Sequence, residues 1–266
     1  MEWRGDTRTE HEDRLATEEP LELRLAWPGR PAERFVVTMR TPGHDFELAA
    51  GLSHGEGLLA AGAATLRTVA YCTDVQLAPD QEFNVVTVTL DAAPPSLPTR
   101  RATTMSAACG VCGRESLDAV ADVGGRVLPS TPLLSRGVLA TLPDRLRDQQ
   151  RVFSRTGGLH GAGLFTADGE ALVVREDVGR HNAVDKVIGH RLLAGSGCDG
   201  LVLAVSGRVG YEIVQKAVLA GVVAIVAVGA PSSLAVDLAQ QFGLTVAGWV
   251  RGDRMVAHAH PERIQG

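Results

Sequence analysis

The chain lacks the features that mark membrane, secreted and nucleic-acid-binding proteins. No run of about 18 apolar residues occurs in its 266 residues, so we expect no membrane-spanning helix. Residues 1–20 contain several Asp and Glu and no apolar core, so we expect no signal peptide. A cytoplasmic location is therefore predicted. The net charge is −5 and no long basic run occurs, so we expect no nucleic-acid partner.

Aromatic residues and cysteines are scarce. Aromatic residues make up 4% of the chain and hydrophobic residues 45%, so the core must consist mainly of Ala, Val and Leu. The four cysteines are Cys72, Cys109, Cys112 and Cys198. In a reducing cytoplasm, a close pair such as Cys109 and Cys112 is more often catalytic or metal-binding than a disulfide. Isolated cysteines such as Cys72 and Cys198 are commonly small buried hydrophobic residues.

The first part of the chain divides into three segments. Residues 1–19 are polar and mostly charged, which predicts a disordered tail. Residues 20–95 contain alternating strand patterns and a helical pattern over 45–62, so we expect a small N-terminal α+β domain. Three prolines close to residue 95 cannot continue a strand ladder. They mark residues 96–114 as a linker that carries the Cys-x-x-Cys loop.

Residues 115–266 have the pattern of a layered α/β domain. Strands such as 201–205 are continuously apolar, which is typical of a sheet with helices on both faces. The predicted helices are 133–150, 178–194, 210–220 and 231–242, and the predicted strands are 160–166, 171–175, 200–205, 222–228 and 244–250.

The cysteine pair is the sharpest local motif. Glycines follow Cys109 and Cys112 directly and leave the backbone free. Arg100, Arg101 and Arg114 supply positive charge nearby, which favours the nucleophilic thiolate. One cysteine could therefore hold a sulfur atom as a persulfide, while the second assists its release by forming a disulfide.

Three other interpretations of this motif remain open. A structural zinc site needs four ligands, and no second Cys-x-x-Cys occurs; we expect no bound metal. A thioredoxin-like site should end a strand and open a helix, whereas prolines precede this pair. A zinc deaminase would combine His54 and Glu56 with the cysteines, but Ala108 stands where that motif has proline.

Polar residues also collect behind three predicted strands, in Glu176–Asn182, Ser206–Arg208 and Trp249–Arg254. If the strands share one sheet with their carboxyl ends on the same side, these segments form one ligand pocket. Arginine forks bind phosphates, and tryptophan offers a stacking face for a purine. Taken singly, each segment is equally compatible with an ordinary turn or surface. The candidate ligand-binding residues are Asp177, Arg180, His181, Ser206, Gly207, Arg208, Trp249, Val250, Arg251, Gly252, Asp253 and Arg254.

Taken together, these motifs resemble the FdhD family of formate dehydrogenase accessory proteins. The resemblance rests on segments that follow one another in the family's order. They are Thr38–Gly43, Ala108–Gly113, Thr156–His160, Arg175–Gly189, Ser206–Arg208, Tyr211–Ala217 and Ala230–Val236.

The resemblance implies a specific activity. FdhD proteins resemble sulfurtransferases that accept persulfide sulfur from a cysteine desulfurase. They deliver it to the bis-molybdopterin guanine dinucleotide cofactor of formate dehydrogenase. Cys109 would then be the sulfur carrier and Cys112 its helper, and Trp249–Arg254 would match the cofactor-binding segment. GDP would be an analogue of the cofactor's nucleotide end.

The resemblance also implies a cytidine-deaminase-like large domain and a homodimer. A second function stays open: a non-catalytic chaperone that binds the molybdenum cofactor and escorts it to formate dehydrogenase. Sequence alone does not separate the two, because a sulfur carrier must also bind the cofactor.

Overall fold

The computed structural model describes most of the chain, but not the predicted cysteine loop. The described residues are 1–59, 64–73, 82–94, 120–121 and 124–266. Cys109, Cys112 and the predicted linker 96–114 therefore lie outside the described residues.

The N-terminal residues form a short hairpin. Strands β1 (Glu2–Arg4) and β2 (Thr7–Thr9) pair antiparallel, with Arg8 opposite Trp3. The Arg8 guanidinium lies 5.9 Å from the centroid of the Trp3 ring. Gly5 adopts φ 60° at the turn, a left-handed conformation that glycine tolerates best. The structure thus has a hairpin at residues 2–9, within the segment 1–19 for which the sequence predicts a disordered tail.

A four-stranded sheet forms the N-terminal unit. Its strands lie in the order β4-β3-β6-β5. They are β3 (Glu19–Trp27), β4 (Arg30–Arg40), β5 (Leu66–Tyr71) and β6 (Val85–Leu90). Helix α1 (Asp45–Gly55) packs its leucines against the inward-facing Leu and Val of this sheet. The helix ends well before residue 62, the predicted end, and Gly57 follows at φ 75°. Strand β5 was not predicted.

The second sheet has six strands in the order β13-β12-β11-β10-β8-β9. They are β8 (His160–Phe165), β9 (Ala171–Asp177), β10 (Val202–Val205), β11 (Ala224–Ala227), β12 (Thr245–Arg251) and β13 (Arg254–Ala259). Strands β9 to β12 run in one direction, and β8 and β13 run against them. Two short strands, β7 (Leu134–Ser135) and β14 (Ile264–Gln265), pair separately.

Helices cover both faces of the six-stranded sheet. Helix α2 (Arg136–Gln149) buries Leu139, Leu142 and Leu146 on one face, and the short α3 (Phe153–Thr156) follows it. The other face carries α4 (Arg180–Leu193), α5 (Tyr211–Ala220) and α6 (Ser233–Phe242). The layered α/β prediction is thus confirmed, whereas the cytidine-deaminase-like arrangement stays a prediction.

Two glycines bring α1 of the N-terminal unit against α4 of the larger sheet. A Cβ atom on Gly51 would lie 1.9 Å from the carbonyl oxygen of Asp185. A Cβ atom on Gly189 would lie 1.8 Å from the carbonyl oxygen of Glu47. Both distances are far below van der Waals contact, so only glycine fits at this helix crossing.

Buried polar contacts reinforce this junction. The Lys186 ammonium donates to the carbonyl oxygen of Thr41, which follows β4 (2.9 Å). The Asn182 amide donates to the carbonyl oxygen of Met39 (2.7 Å). From α1, the Glu47 carboxylate pairs with Arg175 of β9 (2.6 Å). The two units are therefore joined by backbone contact and by charge.

Gly51→Ala should destabilise the protein by about 3 kcal/mol or more, because the added methyl group forces two helix backbones apart. Gly137→Ala is the matched control, since Gly137 is also helical and its nearest Cβ contact would be 3.6 Å. The control should be neutral or stabilising by up to about 1 kcal/mol. Urea denaturation of both variants measures the difference, and equal unfolding midpoints would contradict the close crossing.

Candidate functional site

The three predicted ligand segments end at one edge of the six-stranded sheet. Asp177 and Arg251 are the last residues of β9 and β12, and Ser206 directly follows β10. Because these three strands run in the same direction, the three residues lie at the same edge of the sheet. His160 begins the antiparallel strand β8 at the same edge. The carboxyl ends of parallel strands are where α/β proteins commonly bind ligands.

A cavity of about 540 Å³ opens at this edge, on the α2 side of the sheet. Its walls are the second half of α2, Phe153, the segment 157–160, and the carboxyl ends of β10, β11 and β12. The volume lies within the range of small-molecule sites. Leu146, Leu159 and Val250 give it an apolar surface.

Positive charge surrounds this cavity. Arg147 and Arg251 line it, and the Arg147 guanidinium lies 3.8 Å from the centroid of the Phe153 ring. Burial lowers the pKa of His160, and the positive charges of Arg180 and Arg208 lower it further. His160 is therefore neutral at pH 7, while the arginines around it offer sites for an anion.

The structure brings only some of the predicted ligand residues into the cavity. Ser206, Val250, Arg251 and Gly252 line it. Trp249 is not among the lining residues, and 41% of its surface is exposed. Its backbone φ of 55° is strained for a tryptophan.

The remaining predicted residues lie beside the cavity or away from it. Arg208 is exposed at the edge, and its neighbour Gly207 packs against the His160 ring. Asp253 lies in the exposed turn after β12, and Arg254, also exposed, begins β13. The carbonyl oxygen of Asp253 accepts a hydrogen bond from Arg136 (3.3 Å).

Asp177 belongs to the scaffold beneath the edge. Its side chain is fully buried and pairs with the Lys186 ammonium (2.6 Å). It also accepts hydrogen bonds from the backbone N–H of Thr41 and Gly179 and from the Asn182 amide. Four donors occupy the carboxylate, so its contacts within the scaffold are satisfied, and a ligand contact of Asp177 stays a prediction.

Arg180 and His181 lie in the first turn of α4, which packs on the opposite face of the sheet from α2. The Nε atom of Arg180 is buried and has no hydrogen-bond partner among the described residues. Burial is the main cause that lowers the pKa of His181 to about 4, and the positive charges of Arg180 and Lys216 add to it. Glu212 lies 3.3 Å from the His181 ring, but it is 37% exposed and partly screened by water.

Comparison with known proteins identifies the family. The FdhD/NarQ family model matches residues 16–265. The chain belongs to the FdhD/NarQ family. It is 48% identical to the sulfur carrier protein FdhD of Streptomyces avermitilis, over 95% of this chain and 89% of that protein. It is 39% identical to the sulfur carrier protein FdhD of Thermoplasma volcanium, over 96% and 90%.

A solved structure has the same overall fold. It is the crystal structure of a putative formate dehydrogenase accessory protein from Desulfotalea psychrophila. That chain superposes with a TM-score of 0.73 at 25% identity, covering 98% of this chain and 95% of that one.

Sequence reasoning missed one wall of the cavity in this FdhD/NarQ chain. Arg147, Gln150 and Phe153 come from the end of α2 and the turn behind it, where the sequence predicts only an amphipathic helix. The Gly157–His160 segment did carry a signal, since it lies in one of the family motifs, but it had no assigned role. A glycine-rich stretch ahead of a strand is compatible with a pocket or a plain turn.

The described residues show neither a metal centre nor a membrane span. Within the described ranges, no group of three or more His, Cys, Asp or Glu side chains could hold a metal ion. His54, from the deaminase-like pattern, is buried near Lys216 of α5. Across the same ranges, no helix is long and apolar enough to cross a membrane.

Acidification should weaken the fold in part through His181. Its pKa is about 4 in the folded protein and about 6.5 in the unfolded chain, so its contribution is complete above pH 6.5 and is lost as the pH falls towards 4. The unfolding free energy should therefore drop less between pH 7 and 5 in His181→Gln than in the wild type, by about 1–2 kcal/mol. Urea titrations at both pH values test this. Identical pH dependence in the two proteins would contradict it.

Proposed function

We propose that this protein is a sulfur carrier that serves formate dehydrogenase. It accepts persulfide sulfur from a cysteine desulfurase on Cys109 and passes it to the bis-molybdopterin guanine dinucleotide cofactor, which is its substrate. The proposal is supported by family membership and by the names of the relatives, which are sulfur carrier proteins. It is also supported by the electropositive cavity at the sheet edge.

The cavity is the observation that supports the proposed substrate. A guanine dinucleotide combines a flat base with a doubly charged diphosphate. Arg147 and Arg251 supply two guanidinium groups for the diphosphate, and the apolar lining accommodates the base. Arg180 and Arg208 extend the positive charge across the edge, where a second phosphate group can bind.

The sulfur chemistry requires two thiols. The Cys109 thiolate attacks the terminal sulfur of the desulfurase persulfide, a new S–S bond forms, and the desulfurase thiolate leaves. The Cys112 thiolate then attacks the inner sulfur of the Cys109 persulfide. This step forms a Cys109–Cys112 disulfide and releases hydrosulfide, with its electron pair, to the substrate. A cellular dithiol restores the thiols afterwards. We infer that the working unit is a homodimer, as the family resemblance implies.

Labelled sulfur should accumulate on Cys109. The purified protein is mixed with a cysteine desulfurase and isotopically labelled cysteine, and the modified thiol is mapped by mass spectrometry. Cys198→Ala serves as the matched control, because Cys198 is buried and burial raises its thiol pKa to about 12. Wild type and Cys198→Ala should take up label equally, and Cys109→Ala should take up none. Equal labelling of Cys109→Ala would defeat the assignment.

Arg251→Ala should weaken GDP binding by about tenfold or more, because it removes a charged hydrogen-bond donor from the cavity. Binding should also weaken with added salt, since charge attraction dominates phosphate recognition. Isothermal titration calorimetry measures both effects.

Arg126→Ala is the matched control for this measurement. Arg126 is 73% exposed and pairs with Asp199, outside the cavity lining. The control should bind GDP like the wild type and load sulfur on Cys109 normally, as should Arg251→Ala. Unchanged GDP affinity in Arg251→Ala would place the nucleotide elsewhere.

A further inference from the structure

Gln150, directly after α2, carries a buried donor with no acceptor. Its side chain lines the cavity, and only 2% of the residue surface is exposed. The amide nitrogen Nε2 has no hydrogen-bond partner among the described residues. A buried, unpaired amide donor destabilises a fold, so such groups in native proteins commonly have a function that compensates for it.

The neighbouring strand is built to admit this amide. A Cβ atom on Gly161 of β8 would lie 2.6 Å from both Cδ and Nε2 of Gln150. Any larger residue at position 161 would push the amide away. Glycine within a strand often marks such a close approach. Because Gly161 has no side chain, the Gln150 amide can pack closely against β8 at the floor of the cavity.

Ser206 supplies a second donor at the same place. Its Oγ accepts a hydrogen bond from the backbone N–H of Gly161 (2.9 Å), which leaves the hydroxyl hydrogen to donate. Ser206 also lines the cavity. Gln150 and Ser206 thus both contact Gly161, and each has a hydrogen atom available to donate.

We propose that Gln150 and Ser206 determine the base specificity of the cavity by donating hydrogen bonds to the two adjacent acceptors of a 6-oxopurine. Guanine presents the acceptors N7 and O6 side by side, whereas adenine presents N7 beside the N6 amino donor. Two donors at the floor of the cavity can therefore both bond to guanine. With adenine, one of them would face the N6 amino group, which is also a donor. The inference deepens the proposed function and rests on it, because the nucleotide end of the proposed substrate is guanine.

The test compares the affinities of GDP, IDP and ADP by calorimetry. IDP shares N7 and O6 with GDP but lacks the 2-amino group. Wild type should bind GDP and IDP with similar affinity and ADP at least about tenfold more weakly, as a site built on donors rejects a ligand without the matching acceptor. Gln150→Met, which has a similar shape but no donor, should reduce the GDP-to-ADP preference to about threefold or less.

Two further variants separate specificity from folding. Gln149→Met makes the same substitution on the exposed neighbour, whose amide donates to the carbonyl oxygen of Arg145, and should keep the full preference. Gly161→Ala should displace the Gln150 amide and lose the preference as Gln150→Met does. Thermal melting should show Gln150→Met to be at least as stable as the wild type, since it removes an unpaired buried donor.

The outcomes distinguish this inference from the proposed function. If GDP binds but Gln150→Met keeps the wild-type preference, the inference is overturned and the sulfur carrier proposal stands. An IDP affinity as weak as that of ADP would also overturn it, because recognition would then depend on the 2-amino group. If the wild-type protein binds no GDP, the cavity is not the nucleotide site, and the inference and the substrate part of the proposed function fail together.

Discussion

The crossing of α1 and α4 is the contact on which the rest of the site depends. Gly51 and Gly189 allow the two helix backbones to touch, and no other residue type fits at either position. The N-terminal unit is thereby fixed against the helix whose first turn carries Arg180 and His181. Beneath that turn, Asp177 and Lys186 form a buried ion pair that also holds Thr41 of the N-terminal unit. A buried pair of this kind is strongly destabilising when one partner is removed, so it fixes the geometry of the edge.

The described lining of the cavity carries two arginines and one carboxylate. The carboxylates of Asp177 and Glu47 are already paired with Lys186 and Arg175 in the scaffold. Arg147 and Arg251 line the cavity, where Asp144 is the one carboxylate among the described lining residues. Such an arrangement attracts an anionic ligand over a distance and binds it through charged hydrogen bonds on arrival. The amide nitrogen of Gln150 has no hydrogen-bond partner among the described residues, which is the basis for the proposal that a ligand accepts a hydrogen bond from it.

Much of the larger domain was predictable because its pattern is local. Continuous apolar runs predicted β10, β11 and β12, and the helices between them followed from the amphipathic spacing. The common edge of the three ligand segments was predictable too, since parallel strands place their carboxyl ends together. Strand β13 was missed because its residues carry no regular alternation of apolar and polar side chains.

The parts of the site that sequence could not predict depend on distant contacts. The sequence does not reveal that Thr41, Asn182 and Lys186 contact Asp177, because only the fold brings these residues together. Gln150 looked like the end of an amphipathic helix, and its place in the cavity follows from the packing of α2 over Gly161. The left-handed backbone conformation of Trp249 is likewise not revealed by composition.

The central claim is that sulfur is carried covalently by the cysteine pair, and formate dehydrogenase activity in cells tests it most directly. A strain that lacks its own FdhD-family protein is supplied with wild type or with Cys109→Ala/Cys112→Ala, at matched protein levels. The account predicts that the wild type restores formate dehydrogenase activity and that the double variant restores none, even though its cavity still binds GDP. Full activity with the double variant would contradict covalent sulfur transfer and would instead support a protein that only escorts the cofactor.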